Sequence, residues 1–120
     1  MSVFHILLYL LIPLAYIMGS IPFGVIISKR KGVDLRSTGS KNIGATNVLR
    51  TMGKLPAIFT LLGDALKGAV PVLMCRAILI YIGQNEEAGA IYREEAFWEG
   101  ITGLMAILGH IHSVFLSFKG

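Results

Sequence analysis

The stretch VFHILLYLLIPLAYIMGSIPFGVII, residues 3–27, decides the fold: it runs without a single Asp, Glu, Lys or Arg. A helix that crosses the hydrocarbon core of a bilayer needs about 20 mostly apolar residues at about 1.5 Å rise each, and this run exceeds that length. Pro13, Gly19, Pro22 and Gly24 would break a soluble helix but are tolerated where neighbouring helices satisfy the freed backbone groups. A secretory signal peptide fits badly. No basic region precedes the run, the run is too long, and the basic cluster follows it.

The composition agrees. The 120 residues are 54% apolar and 15% charged, with a mean hydropathy of +0.69. Disordered chains are poor in hydrophobes and rich in charge, so disorder is excluded. A disulfide scaffold is excluded because Cys75 has no second cysteine in the chain. A soluble domain of this size cannot bury so much apolar surface behind a polar exterior.

The net charge of +4 is not spread evenly. Residues 29–54 hold seven cations (Lys29, Arg30, Lys31, Arg36, Lys41, Arg50, Lys54) against Asp34 alone. Residues 83–99 hold five acids against Arg93. Two further apolar stretches complete the pattern. The expected fold is therefore an all-α integral membrane protein, about three transmembrane helices of a larger multi-span bundle. It forms one membrane domain over residues 1–120, with spans at about 3–27, 55–82 and 97–112.

Lys and Arg accumulate in cytoplasmic loops, which places loop 28–54 inside and the N-terminus and loop 83–96 outside. Tyr81 and Trp98 then fall at the outer ends of their spans, where amphipathic aromatics anchor. Within the second span, Asp64 and Lys67 stand three apart on one helical face. They read first as an ion pair within the bundle. The sharper alternative is a functional pair facing a polar cavity, since ionisable groups at membrane depth are costly.

The chemistry concentrates in RSTGSKNIGATNVLR, residues 36–50. Glycines let the backbone approach a ligand closely, and successive N–H groups form anion-binding concavities. Ser, Thr and Asn add hydrogen bonds, and arginine offers a bidentate fork for phosphate oxygens. This is the make-up of a phosphate site. A P-loop is rejected: Gly39 and Gly44 have the spacing, but Ala45 stands where lysine is required. A basic loop that merely touches anionic headgroups explains the charge but not the Gly, Asn and Thr content. Nucleic acid is discounted, because residues 29–54 contain no aromatic side chain for base stacking. At the far end, His110 and His112 are two apart rather than four, and no Cys or carboxylate is near in sequence, so no metal site is expected.

Three groups of residues carry a family resemblance. Gly19-Ser20-Ile21-Pro22-Phe23-Gly24, then Asp34-Leu35-Arg36, then Gly39-Ser40 through Asn42, Gly44-Ala45-Thr46-Asn47-Val48-Leu49-Arg50 make up the first. Asp64-Ala65-Leu66-Lys67-Gly68 with Pro71 is the second, and Gly109-His110 with Val114-Phe115 and Phe118-Lys119-Gly120 is the third. Together they resemble the bacterial acyl-phosphate:glycerol-3-phosphate acyltransferases, the PlsY family, over essentially the whole chain from Gly19 onward.

The resemblance implies a multi-pass enzyme of phospholipid synthesis in the bacterial cytoplasmic (inner) membrane, with its active-site loops facing the cytoplasm. It would transfer a fatty acyl group from acyl phosphate to the sn-1 hydroxyl of glycerol 3-phosphate, giving lysophosphatidic acid and phosphate. The implied partners are those two substrates and the lipid bilayer. No cofactor, metal, acyl-CoA, acyl-carrier protein or nucleic acid is implied.

By matching position, Ser40 and Arg50 are the implied catalytic residues. Ser40 would hydrogen-bond around the reacting phosphate or carbonyl, and Arg50 would clamp phosphate and stabilise developing charge. Gly39, Asn42, Gly44, Thr46, Asn47, His110 and Lys119 would bind substrate phosphate. No acyl-serine is required, since Ser40 has no His or Asp partner evident in sequence.

Two positions depart from the family pattern. Lys41 stands where the family has glycine, so a positive φ there would strain it. Ser113 stands where the family usually has proline. The second family motif normally continues past Phe-Lys-Gly into Gly-Lys-Gly-Val-Ala-Thr, and its lysine and a third motif are not in these 120 residues. The chain thus reads as the N-terminal part of a longer enzyme, and the chain alone is expected to be inactive. The competing expectations are one half of a split enzyme, completed by a separate C-terminal polypeptide, and a non-catalytic relative that binds anionic lipid or phosphate. A transporter element is not supported, since no internal repeat is visible.

Overall fold

A computed structural model describes residues 3–85 and 95–119, all helix, turn and loop. The helices are α1 (Val3–Gly19), α2 (Phe23–Arg30), α3 (Ala45–Met52), α4 (Lys54–Asn85) and α5 (Glu95–Ile111), followed by a 3-10 turn at Val114–Leu116. Most of the expected external loop 83–96 lies outside the described residues. Three stretches, Val3–Arg30, Lys54–Gln84 and Glu95–Leu116, are long and apolar enough to cross a membrane. Their outward side chains, among them Leu10, Leu61, Leu66, Leu73, Leu104 and Ile107, are apolar and exposed, as hydrocarbon contact requires.

The first apolar run is two helices rather than one. Pro22 has no N–H to donate, and its ring disfavours helical geometry at Ile21. Pro22 sits at φ −89°, ψ 77°, and the Phe23 N–H donates to the Ile21 carbonyl at 3.1 Å, an inverse γ-turn. Two other elements hold this break. Lys67 Nζ of α4 donates to the same Ile21 carbonyl at 3.0 Å. Ser113 Oγ, just beyond α5, donates to the Ser20 carbonyl.

α1 packs on α5 and on α4, and α4 packs on α5. The α1–α5 crossing is built from small residues: Ala15 and Gly19 on one side, Ala106 and Gly109 on the other, all buried. A Cβ on Gly19 would run into the Ala106 carbonyl, and one on Gly109 into the Tyr16 carbonyl. Without water to drive association, helices in a bilayer gain by this close backbone approach.

One apolar cluster, of Leu8, Leu11, Cys75, Leu79, Ile82 and Trp98, fills one end of the bundle. A second, of Val25, Leu35, Ile43, Val48, Ala57 and Leu116, lies under the basic loop. That loop is not all coil. Ala45, Val48, Leu49 and Met52 repeat at helical spacing, and α3 buries Val48 at 0% exposure. The amphipathic period was the signal for α3, and eight residues make it easy to pass over.

Candidate functional site

Loop 34–44 is folded around one side chain. Asn47 is 1% exposed and points back from α3 into the loop. Its Nδ2 donates to the carbonyls of Asn42 (2.8 Å), Thr38 (3.0 Å) and Leu35 (3.3 Å). Its Oδ1 accepts the Ser40 N–H at 3.1 Å. Two amide hydrogens shared among three carbonyls leave none for a ligand. In this structure the Asn47 side chain therefore shapes the loop. Sequence could not show this, because the partners lie five to twelve residues back along a loop.

Gly39 has φ +59°, and a Cβ there would collide with Asn47 Oδ1, so glycine is required twice over. Asn42 Oδ1 accepts the Gly44 N–H at 2.8 Å, closing an Asx turn that leads into α3.

Lys41 has φ +64°. The departure from glycine therefore does fall on a left-handed position. Lys41→Gly is expected to stabilise the protein by about 1 kcal/mol, while Lys41→Ala, which keeps the strain and drops the charge, leaves stability unchanged. Thermal unfolding in detergent of the three proteins measures this.

Ser113, the second departure, has φ −62°, a value proline would also adopt, and uses its hydroxyl on the Ser20 carbonyl.

Ser40, Lys41, Asn42 and Ile43 line one wall of a cleft of about 370 Å³, with His110 and Ile111 of α5 opposite. His110 also lines a second cleft, of about 280 Å³, together with Gly44, Asp64, Lys67, Gly68 and Gly103. The structure thus brings Ser40, Asn42, Gly44 and His110 together across 66 to 70 residues of sequence.

The other candidates stand apart from these two clefts. Thr46 lines an apolar cleft between α3 and α4 with Leu49 and Ile58. Arg50 is exposed in the last turn of α3. Lys119 is exposed, and its carbonyl accepts Arg36 Nη2 at 3.1 Å, which ties the end of the described chain to the start of the loop. Arg36 itself lines a larger cleft, about 600 Å³, on the α2 side of the loop with Lys29 and Asp34.

Asp64 and Lys67 do form the i,i+3 pair, at 2.7 Å. Lys67 is 6% exposed and bonds the α1–α2 break as well, so the pair ties helix architecture to the floor of the second cleft. In sequence, the i,i+3 spacing pointed to the pair and the cost of burying two charges to a polar cavity beside it. The cations around the loop, Lys41, Arg50 and Lys54, form no ion pair among the described residues.

Comparison with known proteins gives the arrangement a lineage. The glycerol-3-phosphate acyltransferase family model matches residues 9–120. The chain is 48% identical over 111 residues to a glycerol-3-phosphate acyltransferase of Geobacter metallireducens, covering 92% of this chain and 50% of that protein. It is 45% identical over 107 residues to one from Thermus thermophilus, covering 89% of this chain and 47% of that protein. The crystal structure of PlsY (YgiH), an integral membrane glycerol 3-phosphate acyltransferase, in its glycerol 3-phosphate form, superimposes with a TM-score of 0.74 at 40% identity, over 94% of this chain and 50% of that one. The chain thus spans about half the length of the curated relatives it matches. With the family's first motif folded around Asn47 and facing His110 across a cleft, the chain belongs to the glycerol-3-phosphate acyltransferase family.

Proposed function

We propose that this chain supplies the N-terminal half of an acyltransferase that moves a fatty acyl group from acyl phosphate to the sn-1 hydroxyl of glycerol 3-phosphate. The observation that carries the reading is the cleft where Ser40, Lys41 and Asn42 meet His110, beside cations that form no ion pair among the described residues. Both substrates bear phosphate, one is a lipid and the other soluble. A cationic, glycine-bearing loop at a membrane surface suits both.

In the proposed step the sn-1 oxygen attacks the acyl carbonyl carbon, the bond from that carbon to the phosphate oxygen breaks, and inorganic phosphate leaves. The hydroxyl proton passes to a phosphate oxygen of the acyl phosphate. Ser40 donates to the reacting phosphate or carbonyl, and Arg50 holds phosphate and balances the charge that develops on it. Asn42, Gly44 and Thr46 add backbone and side-chain donors, and Lys119 adds positive charge once the second motif is complete. The positive-inside rule supports a cytoplasmic loop 28–54 in the inner membrane, with the N-terminus outside.

The test is lysophosphatidic acid formation from acyl phosphate and glycerol 3-phosphate. It is run in membranes carrying the chain alone and the chain co-expressed with the C-terminal half of the Geobacter metallireducens relative. The chain alone is expected to give no product and the pair to give turnover. Arg50→Ala is expected to lower that turnover at least 100-fold, as loss of a charge-stabilising donor does. A pair that binds phosphate tightly yet never forms product supports the non-catalytic reading instead. Turnover that survives Arg50→Ala removes Arg50 from the mechanism.

A further inference from the structure

We propose that the groove between α2 and α4 binds one anionic phospholipid of the surrounding bilayer. An acyl chain lies in the groove, and Arg30 and Lys31 hold the headgroup phosphate. Neither the phosphate reading of loop 38–44 nor acyl transfer enters the argument.

The groove is apolar along its length and cationic at one end. Phe23 and Ile27 of α2 form one wall and Phe59, Leu62 and Leu66 of α4 the other, around about 570 Å³. On each helix these residues recur three and four places apart, so each presents one continuous side. Gly63 closes the bottom: it is buried, and a Cβ there would run into the Phe23 ring. Phe59, Leu62 and Leu66 are exposed, and both helices belong to stretches long and apolar enough to cross a membrane, so the groove opens toward lipid. From Phe59 to Leu66 the wall runs about 10 Å, enough for the upper part of an acyl chain.

The charges select the headgroup. Arg30 and Lys31 are exposed and line the groove where the first apolar stretch ends, the level at which a headgroup sits. No carboxylate lines the groove, and neither cation forms an ion pair among the described residues. Arginine offers phosphate a fork of donors and lysine a point charge. Basic pockets between spanning helices take anionic headgroups in this way. Cations at the end of α2 also offset its dipole, but that role is indifferent to which lipid is present. The groove is separate from the clefts around His110: on α4, Asp64, Lys67 and Gly68 fall on the side away from Phe59, Leu62 and Leu66.

The test titrates the full 120-residue chain in detergent micelles with phosphatidylglycerol or phosphatidylcholine of identical acyl chains, and native mass spectrometry counts the bound lipid. Phosphatidylglycerol is expected to bind at least tenfold tighter, the effect of two cations beside an anionic headgroup. Arg30→Gln/Lys31→Gln is expected to shrink that preference below twofold. Lys29→Gln/Lys54→Gln removes the same charge away from the groove and is expected to keep the preference. Leu66→Trp fills the groove from an exposed position and is expected to weaken phosphatidylglycerol at least fivefold.

Equal binding of the two lipids by the unaltered chain overturns the proposal. A preference that survives Arg30→Gln/Lys31→Gln, or that falls as far in Lys29→Gln/Lys54→Gln, overturns it in favour of net charge alone. Unchanged binding in Leu66→Trp overturns the groove as the seat of the acyl chain. Displacement of phosphatidylglycerol by an equal concentration of an alkyl phosphonate of the same chain length assigns the groove to the lipid substrate and overturns the proposal as well.

Discussion

Gly109→Val pulls α5 away from α1. A Cβ at this position would overlap the Tyr16 carbonyl and stand 2.8 Å from the Ser20 nitrogen and 3.0 Å from the Gly19 carbonyl carbon. All three neighbours are backbone, so no side chain can swing aside. Overpacking in a core typically costs about 1–3 kcal/mol, and here relief comes only by separating two helices, so the loss is expected at roughly 3 kcal/mol or more. The separation also breaks the Ser113 bond to the Ser20 carbonyl and the Tyr16 hydroxyl bond to the His112 carbonyl.

Trp98, the only tryptophan, reports on this crossing: it lies on α5, edge-on to Tyr9 of α1 at 5.0 Å between ring centroids. Denaturation with sodium dodecyl sulfate, followed by Trp98 fluorescence, is expected to show an early transition in Gly109→Val. An unchanged midpoint would mean that α1 and α5 are not held by this contact.

Asn47→Leu is expected to dismantle the loop while sparing the helices. The substitution keeps the volume but leaves the Leu35, Thr38 and Asn42 carbonyls and the Ser40 N–H without their partner. A buried polar group left unpaired costs about 1–3 kcal/mol, and water can reach some of these four, so a loss of about 3 kcal/mol is expected overall. Asn47→Asp keeps the acceptor for Ser40 and removes both donors, and so falls between. Amide hydrogen exchange over residues 38–44 is expected to quicken in the order wild type, Asn47→Asp, Asn47→Leu. Phosphate binding is expected to fall at least tenfold in Asn47→Leu, through loss of the loop's shape. If exchange stays slow, the loop is held by Gly39 and the Asx turn at Asn42 instead.

The site was only partly legible in the sequence. Residues 36–50 announced phosphate chemistry through composition, because glycines, hydroxyls and cations in one loop have few other uses. The i,i+3 spacing of Asp64 and Lys67 announced their pairing, because three residues along a helix is a fixed separation. The helix break at Pro22 was half visible: proline forbids the continuous hydrogen-bond ladder, but nothing local says what satisfies the freed carbonyls. The inward bonds of Asn47 are not visible in sequence, because an asparagine beside glycines looks the same whether its amide faces in or out.

By itself, the sequence determined that the chain lives in a bilayer, which segments are long enough to cross it, and where the phosphate-type loop lies. These follow from hydropathy, charge and helical period, all of which act over a few turns. Only the tertiary structure decided that Lys67 and Ser113 hold the break at Ser20 and Ile21, and that Asn47 is the loop's centre. The same holds for His110, which faces Ser40 across one cleft and Asp64 across another. The contacts of Lys67, Ser113 and His110 join residues 46 to 93 apart, and the α1–α5 crossing beneath them depends on how closely Gly19 and Gly109 let two backbones approach, which no local pattern encodes.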